Sequence, residues 1–280
     1  MKNSQLSITP MAGALGAEIG DMDLTDVDDG VIDDIRDALC RYAVVFFRDQ
    51  DLSPDSQAAF ARRFGPLNRH PYVTPMDGHP DVFRIVKESG DKHHFGNSWH
   101  TDLAYAEHPA MATMLYGIDV PVAGGDTIFV SQTAAYDALS DGMKRLLGGL
   151  RVVYTNANSY GEQAQRFKDG VAKAMQVRQA ERTEVVHPVV RTHPETGRKS
   201  LYLSDTHFLR FENMTVEESR PLFDFLVGHA TRPEFTCRFR WRDGSVALWD
   251  NRCTMHYAVN DFPDTKRVMQ RVTLEGDRPV

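Results

Sequence analysis

Apolar residues along this chain fall mostly in short runs of strand length, and few stretches carry a helical period. "YAVVFF" (42–47) is continuously apolar, as expected of a strand buried on both faces. "DVFRIV", "AMATMLYGI" and "DTIFVS" predict further strands, and "FTCRFRW", "SVALWDN" and "RVMQRVTLEG" close the chain. "EVVHPVVRTHPETGRKSLYLSD" predicts a hairpin turning at Glu195, Thr196 and Gly197. Helices are fewer. The acidic "DMDLTDVDDGVIDDIRDAL" leads into one that ends near Cys40, its acids favouring the positive end of the helix dipole. "LSPDSQAAFARRFG" has Ser53 as N-cap, Pro54 in first position and Gly65 as the stop. A third helix is predicted over 132–147, and "TVEESRPLFDFLVGHAT" opens on a capping box from Thr215 to Glu218. The long polar stretch 156–181 predicts a lid-like insertion. Strands that outnumber helices, without βαβ alternation, point to a mainly β chain with flanking helices, a barrel or jelly roll, in a single domain over 1–280.

Composition narrows the function. The formal net charge of −7 gives no basic field to hold nucleic acid or an anionic membrane. No run is long and apolar enough to read as a membrane span. Cys40, Cys237 and Cys253 are odd in number and widely separated, so no disulfide framework is expected and a cytoplasmic setting fits. The glycines of "AGGDT" lack the spacing of a phosphate loop and predict a turn into a strand.

Candidate chemistry begins at "NSWHTDLAY" (97–105). In a strand, His100 and Asp102 point to one face. They are either a structural polar pair or half of a metal site. "ALWDNRCTMHYAVNDF" places His256 just after a buried-looking strand and turn, and a jelly roll can bring such distant strands together. Two histidines and an aspartate form the facial triad that leaves three adjacent positions open on an octahedral iron(II). In "KRVMQRVTLEG", Arg267, Met269, Arg271 and Thr273 share a face opposite an aliphatic row. Either the arginines face solvent, or they point inward and grip an anion that offsets their burial.

"WHTDLAY", "GGDTIF", "HPVVRTHPETGR", "WDNRCTMHYAVNDF" and "KRVMQRVTLEGDRP", taken in that order, resemble the taurine dioxygenase branch of the iron(II)/2-oxoglutarate-dependent oxygenases, over nearly the whole chain. The resemblance implies a double-stranded β-helix that works with Fe(II), 2-oxoglutarate as co-substrate, and O2. It makes His100, Asp102 and His256 the catalytic metal ligands. It gives the distal carboxylate of 2-oxoglutarate to Thr127 and Arg267, and the anionic head of a small organic substrate to Arg271. The step of eleven residues from His256 to Arg267, then four to Arg271, matches the family and favours inward arginines. With Asp102 present, hydroxylation rather than halogenation is implied. His70 resembles a substrate-pocket histidine, with Tyr72, Asn97 and Phe208 as further pocket candidates. Tyr72 and Asn97 are shifted from the taurine pattern, and "YLSDTHFLRF" offers both His207 and Phe208 where one pocket residue is expected; Tyr160 is a further option. Taurine or another sulfonate is the first expectation. Aryloxyalkanoate dioxygenase and alkylsulfatase are alternatives within the family. A zinc hydrolase or a non-catalytic anion-binding barrel are the rivals outside it. Family members often form dimers or tetramers, so a homo-oligomer is implied.

Overall fold

The computed structural model describes residues 6–91, 95–162 and 177–280. The middle of the predicted lid-like insertion, 163–176, lies outside the described residues. In chain order the strands are β1 (Ser7–Pro10), β2 (Ala17–Gly20), β3 (Val44–Phe47), β4 (Leu67–Asn68), β5 (Phe83–Lys87), β6 (Ala112–Asp119), β7 (Thr127–Ser131) and β8 (Arg151–Thr155). They continue as β9 (Glu184–Pro188), β10 (Val190–Thr192), β11 (Lys199–Leu201), β12 (Phe208–Phe211), β13 (Thr236–Phe239), β14 (Val246–Asp250), β15 (Thr254–Ala258) and β16 (Arg267–Leu274). The helices are α1 (Asp29–Tyr42), α2 (Pro54–Arg62), α3 (Gln132–Asp137), α4 (Asp141–Leu147), α5 (Ala157–Tyr160) and α6 (Val216–Ala230). The chain is mainly β with flanking helices, as its hydrophobic pattern predicts.

The largest sheet runs β1-β2-β3-β14-β6-β16-β4, with β5 also paired to β16. Both its faces are covered. Val45, Phe47, Met114, Leu248, Val272 and Leu274 pack on α1 and α2 through Ile35, Leu39 and Phe60. The alternate positions, Phe46, Leu115, Trp249 and Met269, face a smaller sheet of order β13-β7-β15. Phe46 stacks on Phe239 at 4.0 Å, and Phe129 meets Trp249 at 5.5 Å. This explains the continuous apolar runs: a sheet covered on both sides has no wet face to alternate with. It also resolves the two readings of "RVMQRVTL". Val272 and Leu274 are buried under the helices, while Arg267 and Arg271 are buried between the sheets, each only 4% exposed.

A third sheet, β12-β8-β9, packs with α6 into a separate apolar cluster around Tyr154, Phe211 and Phe223. The β10–β11 hairpin turns at Gly197, whose φ of +67° suits glycine. The first half of the predicted hairpin, Glu184–Pro188, pairs with β8 instead of β11. Both predicted caps are present: Ser53 accepts from the Ser56 N–H, and Thr215 and Glu218 close the capping box. The helix predicted over 132–147 is broken in two, because Ser140 caps a second helix by accepting from the Met143 N–H.

Candidate metal centre

His100 and His256 are far apart in sequence but pair directly. Their backbones exchange N–H···O bonds of 3.1 and 2.9 Å, which adds the His100 segment to the edge of β15. Their rings lie 4.1 Å apart. Asp102 follows, turned inward by a bend in which Leu103 takes a φ of +53°. Its Oδ1 lies 3.7 Å from His100 Nε2 and 4.0 Å from His256 Nε2. The three ligand atoms are within 4.8 Å of one another and all three residues are buried. His100 Nδ1 lies 2.7 Å from the Ser98 carbonyl, which can only accept. That fixes the proton on Nδ1 and leaves the Nε2 lone pair for a metal.

Burial alone would raise the Asp102 pKa. The Arg271 guanidinium, the two imidazoles and the Thr113 hydroxyl outweigh it and hold the carboxyl well below its usual range. Burial, with His100 beside it, pushes the His256 pKa well down, so this imidazole stays neutral. A permanently ionised carboxylate and a neutral His256 imidazole are protonation states that suit a divalent metal.

Arg271 Nη2 lies 2.8 Å from Asp102 Oδ1, and its Nε donates to Thr273 Oγ1 at 3.3 Å. Arg267 is different: its Nε and Nη2 are buried without a hydrogen-bond partner. Its Cζ lies 5.8 Å from the Trp241 ring and 6.0 Å from that of Phe262. Trp241 Nε1 in turn donates to Thr127 Oγ1 at 3.0 Å. Gly125 packs closely here: a Cβ on it would stand 3.2 Å from the Phe262 ring and 3.5 Å from Arg267 Cδ, and its φ of +70° favours glycine. The turn predicted at the paired glycines is therefore also one wall of the Arg267 site. A buried, unpartnered guanidinium beside a hydroxyl fits a carboxylate ligand.

His70 is half-buried. Its Nδ1 accepts from the N–H groups of Tyr72 and Val73, and its Nε2 lies 3.1 Å from the Tyr160 hydroxyl. Tyr160 is the centre of a ring cluster, 4.6 Å from Tyr72 and 5.5 Å from Tyr105; Tyr105 lies 4.8 Å from His207. Phe83 connects this cluster to the anion site, its ring 5.7 Å from His70 and 5.6 Å from Arg271 Cζ. The described ends of the 156–181 insertion border the cluster: Val177 bridges to Val73, and the Arg178 N–H donates to the Tyr72 carbonyl. Asn97 lies half-buried in the turn before His100. Phe208 faces elsewhere, stacked on Phe223 of α6 at 3.6 Å, so the side chain presented to the tyrosines is His207. Tyr105, in the same motif as the metal ligands, and Thr113 escaped the sequence reading. A lone hydroxyl inside the apolar run "AMATMLYGI" was the available signal for Thr113.

A second cluster, His193, Asp250 and Cys253, has donor atoms at metal-site spacing, but its His193 and Asp250 atoms are already taken by hydrogen bonds. His193 Nδ1 accepts two backbone N–H groups, and its Nε2 donates to Asp250 Oδ2 at 2.9 Å. Arg252 takes both Asp250 oxygens, and burial pushes the Cys253 thiol pKa well up. This cluster ties the β10–β11 turn to β14.

The model of the family described as "Taurine catabolism dioxygenase TauD, TfdA family" matches residues 7–273. The chain belongs to this family. It is 37% identical to an alkylsulfatase from Acinetobacter baylyi, over 98% of this chain and 86% of that one. It is also 37% identical to an alpha-ketoglutarate-dependent sulfate ester dioxygenase from Pseudomonas putida, over 99% and 91%. A crystal structure of a taurine dioxygenase from Burkholderia xenovorans superimposes with a TM-score of 0.83 at 37% identity, covering 98% of this chain and 92% of that one. The protein is a 2-oxoglutarate-dependent non-haem iron dioxygenase, an oxidoreductase that uses Fe(II), 2-oxoglutarate and O2.

Proposed function

We propose that this TauD-family dioxygenase hydroxylates an organic sulfate ester at the carbon bearing the ester oxygen. The observation that carries the reading is the ring wall of Tyr72, Tyr105, Tyr160 and His207, linked to the Arg271 guanidinium through His70 and Phe83. A sulfate head would be held by Arg271 and His70, and an alkyl or aryl body would lie against the rings. The relatives described as alkylsulfatase and sulfate ester dioxygenase act on this class of compound. Taurine or another sulfonate is the second reading, favoured by the likeness to a taurine dioxygenase structure.

His100, Asp102 and His256 would hold the iron, and Arg267 with Thr127 the far carboxylate of 2-oxoglutarate. When bound, this group supplies the oxidation: 2-oxoglutarate goes to succinate and carbon dioxide, and one oxygen atom of O2 enters a substrate C–H bond. The protein's part is placement. Arg271 and His70 fix the anionic end, the rings exclude water, and the target carbon is thereby set beside the metal ligands. The hydroxylated ester is a hemiacetal, which breaks its C–O(sulfate) bond to give an aldehyde and sulfate. The two sheets together, with the His100 segment as fourth strand of the smaller one, support a double-stranded β-helix as the architecture. We also read the protein as cytoplasmic, supported by free Cys40, Cys237 and Cys253, and as a homo-oligomer.

The test is succinate formation with Fe(II), 2-oxoglutarate and ascorbate, offering a medium-chain alkyl sulfate, taurine and a 2-aryloxypropionate in parallel. Sulfate and aldehyde in step with succinate from the alkyl sulfate support the proposal. Sulfite from taurine alone would move the function to sulfonates, and phenol from the aryloxy acid alone would move it to aryloxyalkanoates.

A further inference from the structure

Asp102 has two oxygens, and the structure treats them differently. Oδ1 faces the two imidazoles and also takes Arg271 Nη2 at 2.8 Å, and Oδ2 accepts from the Thr113 hydroxyl at 2.7 Å. Thr113 lies on β6 opposite Trp249 of β14 and Thr273 of β16, so its side chain points between the sheets with theirs. Its Oγ1 receives the Asn251 amide at 3.0 Å and Arg271 Nη2 at 3.4 Å. Asn251 Oδ1 accepts from Trp249 Nε1 at 3.1 Å and from the Asp102 N–H at 3.3 Å.

Every proton in this chain has a forced direction. An indole nitrogen only donates, so the oxygen of the Asn251 amide must face it and the NH2 must face Thr113. Thr113 already receives two donors, so its own proton can go only to Asp102 Oδ2. All the members are buried, and the chain has no alternative pattern that leaves each group satisfied.

We infer that Trp249, Asn251 and Thr113 are positioning residues that hold Asp102 to one-oxygen ligation through Oδ1. The inference rests on the reading of Asp102 as a metal ligand. Its consequence is a coordination count. A facial triad with a one-oxygen carboxylate leaves three positions, enough for the two 2-oxoglutarate donors and O2. A carboxylate free to swing and bind through both oxygens would take one of them.

The experiment measures Co(II) affinity and the Co(II) absorption spectrum of Thr113→Val, Thr113→Ser, Trp249→Phe and Asp102→Ala, together with the succinate-to-product ratio of the iron enzymes. Thr113→Val should weaken Co(II) binding about 10–100-fold, the usual effect of losing a partner behind a ligand. It should also change the Co(II) spectrum and raise succinate formed per product. Trp249→Phe should shift the same readouts in the same direction by less. Thr113→Ser should restore wild-type values, because it keeps the hydroxyl. Wild-type affinity, spectrum and coupling in Thr113→Val would overturn the inference. So would a Thr113→Ser protein as impaired as Thr113→Val, since that would make the effect one of packing. Undiminished Co(II) binding by Asp102→Ala would instead overturn the ligand reading beneath it.

Discussion

Arg267→Met should stabilise the protein free of ligand while removing its grip on 2-oxoglutarate. Burial lowers the Arg267 pKa to about 10, opposed by the nearby Asp126 carboxylate, so the side chain is charged at neutral pH. It is 4% exposed, and its Nε and Nη2 lack partners. A charge in that state costs stability, and replacing buried ionic groups by apolar ones of similar volume is neutral or stabilising by about 1–4 kcal/mol. Methionine keeps most of the aliphatic stem against Trp241 and Phe262. The ligand sees the opposite sign. A desolvated guanidinium–carboxylate pair is worth about 2–5 kcal/mol when one partner is removed, which is at least a thirtyfold rise in the Kd for 2-oxoglutarate. Thermal unfolding with and without 2-oxoglutarate, in the presence of Mn(II), reads both effects. The wild type should gain about 2.7 kcal/mol at one hundred times its Kd, and the variant, at the same concentration, at most about 0.9 kcal/mol. Succinate assays should show the same rise in KM. A variant that is destabilised by several kcal/mol yet keeps wild-type 2-oxoglutarate affinity would refute the reasoning, because the guanidinium would then be serving the fold.

Other perturbations separate the fold from the site. His187 is buried with Nε2 at 2.9 Å from the Ala106 carbonyl, and burial pushes its pKa down to about 4. Below its unfolded pKa of about 6.5 the unfolded chain takes up a proton that the folded one refuses, so stability falls with pH, by about 2 kcal/mol at pH 5 and roughly 3 at pH 4. Urea unfolding of His187→Gln should show a flatter acid limb than wild type; parallel limbs would contradict this. Tyr160→Phe removes the hydroxyl that meets His70 Nε2 and should lower kcat/KM for the organic anion roughly 5–10-fold, about 1 kcal/mol, with the KM for 2-oxoglutarate unchanged. Thr215→Ala breaks the α6 capping box and should cost about 1 kcal/mol in denaturant unfolding with kcat unaffected.

What the sequence made legible follows from what each feature depends on. Strand runs, caps and the Gly197 turn depend on nearby residues and could be read directly. The orientation of β16 could not be read from alternation, which identifies two faces but not what covers each; the family spacing from His256 to Arg267 and Arg271 favoured the inward reading, and both arginines are buried. Both faces of β16 are covered, one under helices and one against the smaller sheet. The break at Ser140 reflects a local cap winning over a continuous helical pattern. The ring wall is legible only in part. Tyr72 and His70 are neighbours in sequence, but Tyr105, Tyr160 and His207 join them from three other segments. Phe208 and His207 are adjacent, and packing on Phe223 decides which of them turns toward the tyrosines.

The charges at the site also bear on the substrate. Asp102 is matched by Arg271, whereas Arg267 has no ion pair of its own: Asp126, which pairs with Arg238, acts on it only from a distance. The Lys87 ammonium sits on the Phe262 and Pro263 carbonyls, and Asp126 pairs with Arg238, so both are held apart from this balance. A divalent metal and the 2-oxoglutarate dianion cancel one another and leave the site with one positive charge. A monoanion completes neutrality in a region where an unmatched charge is costly. An alkyl sulfate is such a monoanion, with an apolar body for the rings. Taurine is a zwitterion: it adds no net charge, and its ammonium would have to lie near His70, Tyr72, Tyr105, Tyr160 and His207, none of which is a carboxylate. Adding a terminal ammonium to an alkyl sulfate, all else equal, should therefore lower kcat/KM. A rise would mean that a group outside this wall receives the cation, and that sulfonates of the taurine type are the better substrates.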